Sequence, residues 1–142
     1  MNRTTALLLL VTAALPAQLA RIPPRAVVNA ASFARPGLPN SKIAQGSIFT
    51  IFGERIGPDS PATVSEFPLG ESLGGVTVTV RQGDVSVPAI PLFVSAGQIN
   101  AILPSDAPLG RVSIEVRNGT RRSNPAPVEV VPASLGIFTA TG

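Results

Sequence analysis

Apolar and polar residues alternate strictly in two stretches of the chain. Residues 76–80 read Val-Thr-Val-Thr-Val, and residues 112–117 read Val-Ser-Ile-Glu-Val-Arg. Because successive side chains of a strand point to opposite faces, this alternation predicts antiparallel strands with one buried and one solvated face. The side chains that we expect to face inward are Val76, Val78, Val80, Val112, Ile114 and Val116.

An apolar run bounded by glycines is predicted to be a central strand. Residues 46–53 read Gly-Ser-Ile-Phe-Thr-Ile-Phe-Gly. The run is long enough for a strand and too short for a helix, and Phe, Ile and Thr suit a pleated, buried surface. Its apolar side chains point to both sides, so we expect both faces of this strand to be covered.

Proline and glycine divide the rest of the chain into further short strands. Residues 85–94 predict a strand that lies at an edge or is interrupted, because Pro88 and Pro91 cannot donate ladder hydrogen bonds. Asn118 and Gly119 predict a hairpin with a type I′ turn, which needs positive φ at both central residues. Further strands are expected at 98–103, at 128–131 and, as an edge strand followed by a turn, at 27–33.

The segment from Glu54 to Gly75 contains three prolines and no helical period. We expect it to be an ordered surface loop, although it is long for a compact domain. About seven short strands separated by turns, without a credible helix, favour an all-β fold, specifically an antiparallel β-sandwich. A small closed barrel is the alternative, which the prolines disfavour.

The N-terminal residues 1–20 are predicted to be a secretory signal peptide. Arg3 gives the positive start, an apolar stretch follows, and small residues stand at Ala17 and Ala20. Cleavage is expected after Ala20, with cleavage after Ala17 as the alternative because Gln18 occupies a position that favours a small residue. The apolar stretch is shorter than the about 20 residues that cross a bilayer, so we expect no membrane span after cleavage and a secreted, cell-surface or periplasmic location.

The composition excludes several classes of site. The chain has no cysteine and no histidine, which removes disulfides, thiolate metal sites and a cysteine nucleophile. The pI of about 11.1 accompanies a net charge of only +3, because no Tyr, Cys or His titrates between the carboxylates and the guanidinium groups. The arginines are scattered and the chain has no Trp or Tyr for base stacking, so we do not expect nucleic-acid binding.

Catalytic chemistry has little support in the sequence. The chain contains no His, Cys or Tyr, so it lacks the side chains that most often act as general bases or activated nucleophiles. The carboxylates occur singly, without the close spacing of a calcium loop. Glu54 and Asp59 flank one loop, so a catalytic carboxylate pair of the kind found in glycosidases stays an alternative, but nothing else in the sequence points to one. We therefore predict no catalytic residue, no metal site and no cofactor.

Two sets of polar residues are weak candidates for ligand contact. Arg117, Arg121 and Arg122 surround the predicted hairpin turn and could bind an anion, although a solvated hairpin tip is the more ordinary interpretation. Gln98 and Asn100 alternate onto the face of their predicted strand opposite Ile99 and Ala101. They could contact a ligand, although capping or cross-strand hydrogen bonds are the more ordinary interpretation.

Five segments resemble a known family. Residues 46–53 together with 73–78 look like the opening of an IPT/TIG domain, an immunoglobulin-like module. Residues 28–33 (Val-Asn-Ala-Ala-Ser-Phe), 93–100 (Phe-Val-Ser-Ala-Gly-Gln-Ile-Asn) and 136–139 (Gly-Ile-Phe-Thr) resemble more closely the Solibacter-type uncharacterised C-terminal domain of secreted bacterial proteins. The resemblance implies an immunoglobulin-like sandwich and export, and it implies no activity.

The chain departs from that family at several positions. Phe93, Ala96 and Ala101 stand where the family usually has Tyr, Pro and Phe, and Gln45 replaces a usual Pro. The family domain also continues beyond the equivalent of Gly142 and is usually appended to a larger protein. A truncated product or a stand-alone remnant is therefore expected.

The expected organisation is a signal peptide (1–20), an extended leader (21–26), an immunoglobulin-like IPT/TIG-type sandwich (27–132) and a tail (133–142) that could begin a truncated second half. The expected function is a secreted, non-enzymatic structural or adhesive module that contacts protein or extracellular carbohydrate through strand edges or end loops. The alternative is an accessory or degenerate module of an extracellular carbohydrate-active hydrolase, using the acids of the loop between Glu54 and Glu71.

Overall fold

The computed structural model describes residues 19–138 of the chain. This part contains eleven β-strands joined by loops and turns, and no helix. Seven strands have three residues or more, and four have two. The all-β prediction is confirmed. The strands are β1 (Val27–Asn29), β2 (Ile43–Ala44), β3 (Ile48–Phe52), β4 (Ala62–Thr63), β5 (Ser72–Leu73), β6 (Val76–Gln82), β7 (Val85–Val94), β8 (Gln98–Ile102), β9 (Gly110–Asn118), β10 (Arg121–Arg122) and β11 (Ala126–Val131).

The two alternating stretches form β6 and β9, which pair antiparallel with each other. The predicted inward side chains of both strands are buried, and the residues between them are partly or fully exposed. Burial of each Val or Ile contributes roughly 1.5–3 kcal/mol. These side chains form one core with residues of β3, β7 and β8.

The strands follow one continuous path, β1-β3-β8-β7-β6-β9-β11-β2. β1 and β2 lie at its two ends, and among the described residues no hydrogen-bonded ladder joins them. Val27 of β1 and Ile43 of β2 nevertheless line one cavity, so the two ends of the path lie near each other and the sheet is nearly closed. This pairing does not by itself establish the predicted two-sheet sandwich or its count of about seven strands.

Strand β7 connects the two halves of this path. Residues 85–89 pair with β6, whereas residues 90–94 pair with β8, with a register shift between Pro91 and Phe93. The predicted interruption is confirmed, but the strand lies in the middle of the path and not at an edge. A proline can occupy a central strand where the ladder is irregular.

The run between Gly46 and Gly53 forms β3, which lies between β1 and β8. Phe49 and Ile51 are fully buried on one face, and Thr50 is buried on the other. Both faces are covered at these positions, as predicted, whereas Phe52 at the strand end remains 39% exposed.

The hairpin after β9 differs from the prediction. Asn118 is the last residue of β9 and pairs with Arg121, so the two-residue loop is Gly119–Thr120. Only Gly119 has positive φ, at 59°, which excludes a type I′ turn and fits a type II′ turn with glycine at its first position. A β-branched Thr120 disfavours the second positive φ that type I′ requires.

Two segments outside the predicted strands contribute to the core. Ile56 of the 54–75 loop is fully buried, and the same loop holds the short strands β4 and β5. Ala20 and Ile22 are each only 2% exposed. The predicted signal peptide lies outside the described residues except for Leu19 and Ala20, and cleavage after Ala20 would remove a buried side chain.

Candidate functional site: a basic groove beside strand β11

The segment before β1 is held along the end of the sheet by an asparagine. The Ile22 N–H donates to Asn124 Oδ1 at 2.9 Å, and Asn124 Nδ2 donates to the Ile22 carbonyl at 2.9 Å. Arg21 exchanges two backbone hydrogen bonds with Glu54, at 2.9 and 2.8 Å. These bonds fix Arg21 and Ile22 as one wall of a groove.

The groove has a volume of about 870 Å³ and lies between the two ends of the strand path. Ile22, Val27 of β1, Ile43 of β2 and Ala126 of β11 form its buried apolar floor. Its size falls within the range of protein ligand sites, roughly 300–1,000 Å³. We call it the basic groove.

The rim of the basic groove is strongly cationic. Four exposed basic residues line it, namely Arg21, Arg25, Lys42 and Arg111, against one acid, Glu129. Lys42 Nζ pairs with Glu129 Oε1 at 2.7 Å. Within residues 19–138, the three arginines form no ion pair, so their charge is available to an anion.

One edge of β11 is open along the groove. β9 covers one side of residues 126–130, whereas β2 covers the other side only at Val130 and Val131. The Gln45 N–H donates to the Val131 carbonyl, so the backbone groups of Val131 point to the side of β11 away from β9. Backbone groups point to the same side at every second residue of a strand, so those of Glu129 and Pro127 point to this side too. The Glu129 N–H and the Pro127 carbonyl therefore face the groove.

The donor chemistry of the rim selects its ligand. Arginine and lysine side chains donate hydrogen bonds and accept none, and guanidinium groups bind carboxylates and phosphates more strongly than neutral acceptors. A ligand with anionic oxygens and an apolar part fits these walls. No cluster of three potential metal-ligating side chains occurs in the part of the chain that the structure describes.

The sequence candidates Gln98 and Asn100 lie together on β8, outside the groove. Asn100 Oδ1 accepts from Gln98 Nε2 and from Thr50 Oγ1, each at 3.0 Å. Cross-strand bonding thus occupies the Asn100 carbonyl oxygen.

The candidates Arg117, Arg121 and Arg122 lie at the β9–β10 hairpin. Arg117 Nε donates to the Gly119 carbonyl at 3.1 Å, and Arg122 Nε lies 3.3 Å from Glu115 Oε2. All three arginines are exposed. The sheet order separates this hairpin from β8, so the two sets of candidates do not form one site.

Sequence reasoning missed the basic groove because its residues come from four distant segments. Arg25 precedes β1, Lys42 precedes β2, Arg111 lies in β9 and Asn124 precedes β11. In the sequence each is a single polar residue in a turn or at a strand end. The only local signal is the prolines that directly precede Arg25 and directly follow Asn124.

Comparison with protein-family models finds no family that matches the chain, and comparison with curated proteins finds no significant match. In residues 19–138 there is no helix with the length and apolar character needed to cross a membrane.

Proposed function

We propose that this protein is a secreted, non-enzymatic binding module with a structural or adhesive role, which holds an anionic partner in the basic groove. The observation that carries the proposal is the rim of four basic residues and one ion-paired acid above an apolar floor. Exposed like charges disfavour the compact state unless a partner neutralises them. Such a cluster therefore suits recognition better than stability.

The partner is a protein segment and not a neutral glycan. Sugar hydroxyl groups need acceptors as well as donors, whereas the rim offers almost only donors. Its one carboxylate, Glu129, is already paired with Lys42. A peptide with carboxylate side chains satisfies the arginines, and its aliphatic groups cover the floor.

The fold of the module is proposed to be an immunoglobulin-like sandwich of the IPT/TIG type, related to the Solibacter-type domain of secreted bacterial proteins. The division of β7 between partners β6 and β8 supports two layers. The inward alternation of β6, β9 and β8 supports a shared core between them.

An NMR titration tests this function. The probe is a soluble peptide of alternating Glu and Val, and the comparison ligand is dextran. We expect the peptide to shift amide signals of groove residues and dextran to shift none. The double variant Arg25→Gln/Arg111→Gln should bind about tenfold or more weakly, whereas the control Arg117→Gln should bind like wild type. If the double variant binds the peptide as tightly as wild type does, the assignment of the binding site to the groove is refuted.

A further inference from the structure

A second charged surface lies on residues 59–71, which run from just before β4 to the start of β5. No lysine or arginine occurs between Arg55 and Arg81, whereas this stretch carries Asp59, Glu66 and Glu71. The three acids are exposed, and within residues 19–138 none of them forms an ion pair. We call residues 59–71 the acidic loop.

The acidic loop also presents an aromatic side chain. Phe67 is 86% exposed, more than any other large hydrophobic residue found exposed in the described chain. It directly follows Glu66. Aromatic side chains are enriched at the buried centres of protein interfaces, whereas charged groups suit the solvated rim. The loop thus combines carboxylates with an apolar anchor, the combination that the basic groove is built to accept.

The loop and the groove of one copy are held by different strands. β4 fixes the acidic loop to β7, and β5 fixes it to β6. β7 and β6 are the middle two strands of the eight-strand path, whereas the groove lies between its ends, β1 and β2. The acidic loop and the groove are therefore anchored on different strands of the sheet. Their opposite charges make the loop of one copy a complementary partner for the groove of another.

We propose that the acidic loop of one copy docks in the basic groove of a second copy, with Phe67 over the apolar floor and the Glu66 and Glu71 carboxylates against the rim arginines. This inference rests on the proposed function of the groove and names its partner. The contact joins two different surfaces, so it is heterologous, and its repetition builds head-to-tail chains. Such chains would give a structural module its extended form.

Sedimentation velocity of the mature chain, over a range of concentrations at low salt, tests the proposal. We expect reversible assembly that weakens at about 1 M salt, where the Debye length falls to about 3 Å. The loop variant Glu66→Lys/Glu71→Lys and the groove variant Arg25→Glu/Arg111→Glu should each remain monomeric. Their mixture should associate, because each reversed surface then meets a complementary one. Arg117→Glu, outside both surfaces, is the control and should assemble like wild type.

The outcomes separate this inference from the proposed function. All substituted residues are exposed, so unchanged thermal melts will show that the variants fold. A wild-type chain that stays monomeric throughout, while its groove still binds the Glu-Val peptide, overturns self-docking and leaves the groove function standing. Assembly that persists in both reversed variants also overturns it. If the groove binds neither peptide nor loop, both proposals fall.

Discussion

Replacing Asn124 by alanine tests how the N-terminal segment is held. The substitution removes the acceptor of the Ile22 N–H and the donor to the Ile22 carbonyl. A buried polar group without a partner costs about 1–3 kcal/mol. Since Asn124 itself is exposed and water can reach part of the site, we take the lower end for each bond. The expected loss is about 2 kcal/mol, or roughly 6–10 °C in Tm for a domain of this size.

Thermal and urea melts followed by circular dichroism measure this loss. Asn124→Asp keeps an acceptor for the Ile22 N–H and removes the donor to its carbonyl, so it should be less stable than wild type and more stable than Asn124→Ala. Asn118→Ala is the matched control, because no hydrogen bond of the Asn118 side chain is found in the described chain, and its stability should change by less than about 0.5 kcal/mol. Hydrogen exchange adds a local readout, since the Ile22 amide should exchange faster in Asn124→Ala. Equal melts for Asn124→Ala and Asn118→Ala would refute the proposed clamp.

Three further predictions concern the core, a close backbone approach and processing. Val78→Asp should unfold the domain, because an unpaired carboxylate at a 0% exposed position costs several kcal/mol, and the whole free energy of unfolding is about 5–15 kcal/mol. A cooperative melt of this variant would contradict the assigned faces. The control Thr77→Asp, on the solvated face, should melt like wild type. Gly57→Ala should lose about 1–3 kcal/mol in a urea melt, since its Cβ would clash with the Ser95 carbonyl oxygen. The control Gly97→Ala, whose nearest such contact is 3.7 Å, should be nearly neutral, and equal losses would contradict the steric reason. Mass spectrometry of the chain recovered outside the cytoplasm of an expression host should find a mature N-terminus at Arg21, or at Gln18 in the alternative; a chain that keeps residues 1–17 would refute the predicted signal peptide.

The parts of the fold that the sequence predicts are those with a local signal. The alternation at 76–80 and 112–117 identifies both strands and their buried faces, since burial there follows directly from the two-residue period. Pro91 marks the irregularity of β7 for a similar reason, because proline removes a ladder donor at its own position.

Other features depend on tertiary contacts and leave little local trace. Ile22 and Ile56 are single apolar residues among prolines, glycines and charges, and only the assembled sheet shows that they are buried. The two residues of β2 form a strand because β11 lies beside them. At the hairpin, Asn118 and Gly119 signal a turn correctly, but the pairing of Asn118 with Arg121 moves the turn by one residue.

The candidate site shows the same limit more strongly. Arg117, Arg121 and Arg122 are close in sequence and therefore attract attention, yet local partners occupy two of them. Arg25 and Arg111 are far apart in sequence, and the ends of the strand path bring them to one groove. These two arginines are 86 positions apart in the sequence, so only the order of the strands shows that their charges lie close together.

The bonds between Ile22 and Asn124 connect residues that are 102 positions apart. Arg21 can pair with Glu54 early, whereas the two bonds of Ile22 can form only when the segment just before β11 is present. Native contacts of such high sequence separation slow folding, because the chain loses the entropy of closing a long loop before the stabilising contacts form. Under the proposal that the protein is secreted, a chain still threaded through a secretion pore lacks the residues that complete these contacts. Late closure would then leave the N-terminal segment without its Asn124 partner until translocation ends.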